Sequence, residues 1–98
     1  KSADTFGPLG PYIITDIDPQ NVGIKGFVNG IEGQSCHSSE MIFSTAKAIS
    51  FISKYATLLP GDMIWTGTSG KTPPINPGDT VRIEIENVGI LENPVEAA

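Results

Sequence analysis

The most regular alternation of apolar and polar positions lies near the C-terminal end of the chain, over Thr80–Glu86. Successive side chains of a strand point to opposite faces, so this period predicts a strand with one wet face. Pro77-Gly78-Asp79 predicts the turn that launches the strand, and Asn87-Val88-Gly89 predicts the turn that ends it. Ile90–Asn93 is then a returning strand.

A second pair of strands is predicted around Asn29-Gly30. Lys25–Val28 and Ile31–Gln34 are short runs on either side of this dipeptide. Asn-Gly is the preferred pair of a type I′ turn, because both central residues must take positive φ. The pattern predicts a β-hairpin.

Two further strands are expected from shorter signals. Tyr12–Thr15 is a β-branched and aromatic run after a segment rich in Gly and Pro. Met63–Thr66 follows a second Pro-Gly-Asp turn, Pro60-Gly61-Asp62, which we expect to launch a strand as the later turn does.

A single helix is predicted to open at Ser38-Ser39-Glu40. Either serine can cap the first free amides, and Glu40 lies favourably at the positive end of the helix dipole. Apolar residues then recur at helical spacing up to a predicted end near Tyr55 to Thr57. The fold class expected for residues 1–98 is mainly β with one helix (α+β), in a single domain.

Composition narrows the function classes. Eleven Asp and Glu against six Lys and Arg leave a net charge of −5, which disfavours nucleic-acid binding. No apolar run approaches the ~18 residues of a membrane span, and the first residues lack the apolar core of a signal peptide. Cys36 is the only cysteine, so no internal disulfide can form, which favours a reducing, cytoplasmic location.

Three segments are candidates for chemistry. Lys1–Pro8 places a lysine, an aspartate and two hydroxyls close together, which suits a substrate carboxylate or a metal-bound water, although a solvated terminus is the plainer interpretation. Thr66–Gly70 can turn backbone amides toward an anion, or be a surface turn. Gln34–Glu40 places a histidine beside a helix start.

Other assignments are disfavoured. Gly70-Lys71-Thr72 is not a phosphate-binding loop, because Pro73-Pro74 follows where that motif needs a helix. Cys36 and His37 are adjacent in an extended segment, so they are badly placed as a catalytic pair. The acidic side chains at Glu84 and Glu86 lie on the polar face of their strand and are interpreted as solvated charge.

Taken in order, several segments resemble the fumarylacetoacetate hydrolase family over nearly the whole chain. Lys1–Tyr12 matches the segment after the family's metal ligands, and Val28-Asn29-Gly30 matches its hairpin. Ser38–Phe43 matches its helix start, and Leu59–Thr68 matches its substrate loop. Asn76–Asp79 and Asn93-Pro94-Val95 match its closing strands. The resemblance implies a mixed β-roll, a homodimer, and a Mg²⁺ or Mn²⁺ cofactor. It also implies a 2-oxo acid substrate that is hydrolysed at a C–C bond, decarboxylated, isomerised or dehydrated.

The resemblance also implies roles for single residues. Lys1 matches a catalytic lysine beside the metal, which assists proton transfer or holds the substrate carboxylate. Thr5 matches a hydroxyl residue in the outer surroundings of the metal, and Gly67 and Thr68 match the loop that binds the substrate. Lys71 stands where the family usually has small residues, so it is expected to influence which acid is preferred.

The same resemblance places the metal-binding carboxylates, and the His–Glu base of hydrolytic members, N-terminal to Lys1. His37 is therefore not assigned that role, and no metal ligand is assigned within the chain. The leading hypothesis is the C-terminal part of an enzyme completed by a missing N-terminal segment or companion chain. The alternatives are a non-catalytic β-roll remnant for dimerisation or small-molecule binding, and an independent β-rich binding module whose likeness is coincidental.

Overall fold

The computed structural model describes residues 4–97, and within this range four strands form one antiparallel sheet. The strands are β1 (Gly23–Val28), β2 (Ile31–His37), β3 (Thr80–Ile85) and β4 (Gly89–Pro94), in the spatial order β2-β1-β3-β4. A short 3-10 helix (Ser38–Glu40) and helix α1 (Thr45–Ile52) follow β2. The mainly β fold with one helix is confirmed.

The predicted hairpin is present with the predicted turn. β1 and β2 are joined through Asn29 and Gly30, whose φ angles are 51° and 78°. Both values are positive, as a type I′ turn requires, and only Asn and Gly adopt them at low cost. The β3–β4 hairpin is likewise confirmed.

The two Pro-Gly-Asp turns share one geometry. The glycine φ is 95° in Pro60-Gly61-Asp62 and 94° in Pro77-Gly78-Asp79. In each, the aspartate accepts a hydrogen bond from the amide three residues earlier, at 2.8 Å and 2.7 Å respectively. The turns are therefore local structures made by their own residues.

Within the described part of the chain, Pro77-Gly78-Asp79 is followed by a strand, β3, and Pro60-Gly61-Asp62 is not. The strands predicted at Met63–Thr66 and Tyr12–Thr15 are wrong, since neither segment is paired within residues 4–97. β propensity produces a strand only where a neighbouring backbone supplies hydrogen-bond partners. The side chain of Ile13 is 95% exposed, in keeping with an unpaired segment.

The helix begins later than predicted. Ser44 is its N-cap, and the Ser44 hydroxyl accepts a hydrogen bond from the Lys47 amide at 3.2 Å. Ser38 is unavailable as a cap because its hydroxyl accepts from the Val22 amide at 2.9 Å, which fastens it to the start of β1. Met41 is then extended, so the chain leaves helical geometry before α1 starts.

The expected alternation of exposure is weak in β3, where all six residues are half-buried. Arg82 explains part of the difference, because its guanidinium carbon lies 5.9 Å from the centre of the Phe27 ring on the neighbouring strand. A long cationic side chain can cover apolar surface while its head reaches water. The polar face is therefore partly covered by its own side chains.

Few side chains are buried within residues 4–97. Val22 and Ser38 are 6% and 4% exposed, and many large apolar side chains remain open to solvent. Those with the largest rings or chains include Phe6, Tyr12, Phe43, Phe51, Tyr55 and Trp65. Exposed apolar surface of this extent is typical of a face that another segment or chain covers. No helix within residues 4–97 combines the length and the apolar character needed to cross a membrane.

Candidate functional site

A cleft of about 530 Å³ lies between the β1–β2 hairpin, the segment that leads to α1, and the loop Thr66–Ser69. Gln34 and Cys36 contribute from β2, and Ala48 and Ile52 contribute from α1. The exposed surface of its walls is mainly apolar, and its polar members include His37 and Glu40 as well as the loop hydroxyls, a make-up that suits a small-molecule site. The cleft contains Gly67 and Thr68, the two residues predicted to bind the substrate.

The loop that lines this cleft has backbone donors with no acceptor in the described part of the chain. Gly67 has a φ of 96°, a left-handed conformation that glycine adopts without strain. Within residues 4–97, the amides from Thr66 to Gly70 have no hydrogen-bond acceptor. Exposed, unpaired amides in a turn are suited to an anion such as a carboxylate.

Thr68 is held from the neighbouring hairpin. The side-chain amide of Gln34 donates to the Thr68 hydroxyl oxygen at 2.7 Å and also to the carbonyl of Ser69. A hydroxyl has one hydrogen to donate, and here its oxygen already accepts. The Thr68 hydrogen is therefore left for another acceptor in the cleft.

The sequence interpretation did not give Gln34 a role of its own. A signal was present in Gly33, since an isolated glycine inside a strand pattern often marks a bulge or a close approach of another segment. Both occur here: the β1–β2 register shifts at this point, and a Cβ at Gly33 would lie 2.7 Å from Pro73 Cγ.

Thr5 lies two residues before Gly7, which is close to the residue that precedes Thr66. A Cβ at Gly7 would lie 3.0 Å from the ring of Trp65. Thr5 itself has a φ of 65°, which is an outlier for a β-branched residue. Such strain clusters at functional sites. Lys1, the predicted catalytic residue, lies outside the described residues.

Cys36 and His37 do not form a catalytic pair in this arrangement. His37 is the N-cap of the 3-10 helix, where its Nδ1 accepts from the Ser39 amide at 3.3 Å and lies 2.7 Å from the Ser39 hydroxyl. The ring therefore has a local structural role. Cys36 is a half-buried free thiol on the cleft wall.

A second depression, of about 600 Å³, lies along β3 and the β3–β4 turn. Lys25, Glu84 and Glu86 are its charged members, and none of the predicted site residues lines it. Glu84 is paired with Arg82, and Glu86 accepts from the Gly23 amide at 3.1 Å. Glu86 joins the end of β3 to the start of β1, whereas the Glu84–Arg82 pair lies within β3. Both carboxylates already have partners, so the Thr68 cleft is the better candidate site.

The comparisons with known proteins identify the family. The sequence model described as fumarylacetoacetate (FAA) hydrolase C-terminal matches residues 1–96. The chain belongs to the fumarylacetoacetate hydrolase family. Among curated relatives, the mitochondrial oxaloacetate tautomerase fahd2 of Xenopus laevis is 43% identical in an alignment of 105 positions that covers 97% of this chain.

Solved structures of the family have the same fold. A 2-hydroxyhepta-2,4-diene-1,7-dioate isomerase from Mycobacterium marinum matches with a TM-score of 0.87 and 46% identity over 89% of this chain. A maleylpyruvate hydrolase from Sphingobium sp. SYK-6, in complex with manganese(II) and pyruvate, matches with a TM-score of 0.84 and 33% identity over 89% of this chain. The sheet and helix are therefore those of the C-terminal region of the fumarylacetoacetate hydrolase fold.

The chain spans about a third of these proteins. It covers 33% of the Xenopus tautomerase and 34% of each of the two crystallised chains. It covers 40% of a curated relative from Methanocaldococcus jannaschii.

The described residues do not by themselves fit the divalent metal seen in the Sphingobium relative. Within residues 4–97, no three His, Cys, Asp or Glu side chains come together as a metal-binding group. Hard cations such as Mg²⁺ need about six oxygen ligands. This part of the family fold thus offers hydroxyl and amide groups to a ligand, and no carboxylate cage for an ion.

Proposed function

We propose that this chain is the C-terminal part of a divalent-metal-dependent enzyme that acts on 2-oxo acids, and that it forms the substrate-binding wall of the active site. The observation that carries the proposal is the loop of residues 66–73 (the Thr68 loop). Its unpaired amides and the Thr68 hydroxyl lie at a mainly apolar cleft. A carboxylate is the anion that best suits those donors.

The named relatives support this substrate class. Their names include an oxaloacetate tautomerase and a maleylpyruvate hydrolase crystallised with pyruvate, and all of these small molecules are 2-oxo acids. The reactions differ between relatives, which include an isomerase/decarboxylase. We therefore propose the shared substrate class, with C–C hydrolysis, decarboxylation or isomerisation as its reactions.

The proposed roles in substrate binding, proton transfer and metal binding are divided among different segments. Thr68 and the amide of Gly67 hold the substrate carboxylate, and Thr5 supports the site from the segment beside Trp65. Lys1, immediately upstream of that segment, assists proton transfer or holds a carboxylate. Mg²⁺ or Mn²⁺ is held by ligands outside residues 4–97, in the remaining part of the polypeptide.

The exposed apolar face supports the proposal that the chain works only within a larger assembly. Phe6, Tyr12 and Trp65 are 68%, 68% and 55% exposed when the chain is considered alone. We propose that an N-terminal segment or companion chain covers part of this surface and that a homodimer covers another part. The same surface would serve the alternative, a non-catalytic β-roll that retains only dimerisation or small-molecule binding.

The test is metal binding and turnover by the full-length polypeptide that carries this chain. It is expected to bind Mn²⁺ in a calorimetric titration and to tautomerise, decarboxylate or hydrolyse a 2-oxo acid from a panel that includes oxaloacetate and an acylpyruvate. EDTA should abolish the activity and Mn²⁺ should restore it. Lys1→Ala should remove most of the turnover, whereas Lys54→Ala, at an exposed lysine just after α1, should not. Mn²⁺ binding without turnover of any acid in the panel would favour the non-catalytic alternative.

A further inference from the structure

The loop that carries Thr68 is fastened to β2 at a β-bulge. Gly26 pairs with Gln34 and Phe27 pairs with Glu32, so Gly33 is an extra residue without a partner on β1. A bulge interrupts the regular alternation of a strand and can re-aim a side chain, which is one reason bulges occur near active sites. β2 is also the edge strand of the sheet, where bulges are common.

The bulge lets two successive residues of β2 meet the same loop. In a regular strand, neighbouring residues point to opposite faces. Here a Cβ at Gly33 would lie 2.7 Å from Pro73, while the Gln34 side chain reaches Thr68 and Ser69. The loop is thus in contact with β2 near both of its ends.

The chemistry of the Gln34 amide suits this position. Its NH₂ group supplies two hydrogens, which go to the Thr68 hydroxyl oxygen and to the Ser69 carbonyl. Neither acceptor is charged, so the contact holds the loop without adding charge to the cleft. Because the hydroxyl oxygen accepts, its own hydrogen must point elsewhere.

We propose that Gln34 is the positioning residue of the Thr68 loop: it holds the loop over the cleft and orients the Thr68 hydroxyl to donate to a carboxylate ligand. The part that concerns the ligand rests on the proposed function. The part that concerns the loop does not, and it is tested separately by ¹⁵N relaxation of the loop backbone.

Three variants of the full-length polypeptide test this role. Gln34→Met keeps the length of the side chain and removes both donors. Gln34→Glu keeps the shape but presents a carboxylate, which repels the Ser69 carbonyl and draws the Thr68 hydrogen to itself. Ser35→Ala is the control, since it alters the adjacent exposed residue of β2, which makes no side-chain hydrogen bond within residues 4–97.

Backbone order parameters of residues 66–72, measured by ¹⁵N relaxation, are expected to fall in both Gln34 variants and to stay unchanged in Ser35→Ala. The kcat/KM for the 2-oxo acid should fall about tenfold in Gln34→Met, as expected for the loss of two neutral hydrogen bonds, and further in Gln34→Glu. The melting temperature should change little, because the loop lies outside the sheet. In a Thr68→Ala background, Gln34→Met should have a smaller effect on kcat/KM, since the two residues act through the same contact.

The outcomes separate the two proposals. Unchanged order parameters in residues 66–72 would overturn the positioning role, whatever the activity. Lower order parameters with an unchanged kcat/KM would show that the loop is held by Gln34 but that its position does not matter to the ligand, which also overturns the role as stated. A wild-type protein that turns over no 2-oxo acid would instead sink the proposed function and, with it, the assigned ligand.

Discussion

The side-chain amide of Asn29 donates to Asp79 Oδ1 at 2.8 Å, which joins the turn of the first hairpin to the turn that launches β3. The Asn29 side-chain oxygen also accepts from the Thr80 amide at 2.9 Å, and its backbone amide donates to the Thr80 carbonyl at 2.9 Å. One residue therefore satisfies the φ of a type I′ turn and fixes the register between β1 and β3. Asn29 therefore forms both the local turn and a contact between segments that are distant in the sequence.

Replacing Asn29 should separate these two roles. Asn29→Gly keeps the positive φ and removes the side chain, so it should lower the free energy of unfolding by at least about 1 kcal/mol through the lost bond to the Thr80 amide, and it also removes the exposed bond to Asp79. Asn29→Ala should cost about 1 kcal/mol more, since alanine is strained at this φ. Urea unfolding of the full-length polypeptide measures both. Asn87→Gly is the control, because Asn87 also has a positive φ (60°) and its side chain makes no hydrogen bond within residues 4–97. Equal losses for the Gly and Ala variants would contradict the backbone argument.

The same contact sets the acidity of Asp79. The Asn76 amide and the Asn29 side chain donate to this carboxylate and hold its pKa below the usual value of 3.8, although partial desolvation opposes them. The folded pKa lies below the unfolded one, so the stabilisation is complete above about pH 3.8 and is lost as the pH falls through the lower folded value. A carboxyl ¹³C titration by NMR should show the low pKa, and Asn29→Gly should raise it toward the usual value. A titration curve unmoved by Asn29→Gly would show that the Asn76 amide acts alone.

The position of the helix start can be tested through its cap. Ser44→Ala should lower the free energy of unfolding by about 1 kcal/mol, since it removes the acceptor of the Lys47 amide. Ser50→Ala, at an exposed position inside α1, should be neutral or slightly stabilising because alanine has the higher helix propensity. The two variants make the same chemical change, so their difference in urea unfolding reports the cap. A neutral Ser44→Ala would place the helix start elsewhere.

Thr68→Ala should lower kcat/KM of the full-length polypeptide. The corresponding activation free energy should rise by about 1.5–3 kcal/mol, the range for a hydrogen bond to a charged group. Thr68→Ser retains the hydroxyl and should keep most of the activity. Steady-state kinetics on the best 2-oxo acid of the panel provides the measurement. If Thr68→Ala has an unchanged kcat/KM, the hydroxyl is a bystander and the loop amides alone carry the binding.

Gly33→Ala should displace the far end of the Thr68 loop. The added Cβ would lie 2.7 Å from Pro73 Cγ, closer than carbon atoms approach, so the proline must move. The amide chemical shifts of residues 66–71 should change, and the second-site change Pro73→Gly should return them part of the way by removing the clashing ring. Failure of Pro73→Gly to reduce the effect would show that alanine at Gly33 acts on the bulge and not on the loop.

Much of the fold is determined by short stretches of sequence. Asn29-Gly30 and the two Pro-Gly-Asp turns were predicted correctly because a turn depends on the φ angles and side-chain acceptors of a few adjacent residues. β3 and β4 followed from alternation beside such turns. The family was also predicted from ordered motifs, and the family match confirms it. Thr68 was placed in a candidate loop by the same resemblance, and its role stays a prediction.

The tertiary structure alone decided what depends on distant partners. Tyr12–Thr15 and Met63–Thr66 have the composition of strands, yet they remain unpaired within residues 4–97 because no neighbouring backbone meets them there. Ser38 was a reasonable helix cap by sequence, but its hydroxyl is taken by the Val22 amide across the start of the sheet. Gln34 and Thr68 are 34 positions apart, and no local pattern brings them to 2.7 Å. Local turn geometry can be determined from a few neighbouring residues, whereas such contacts arise only when the whole chain has packed.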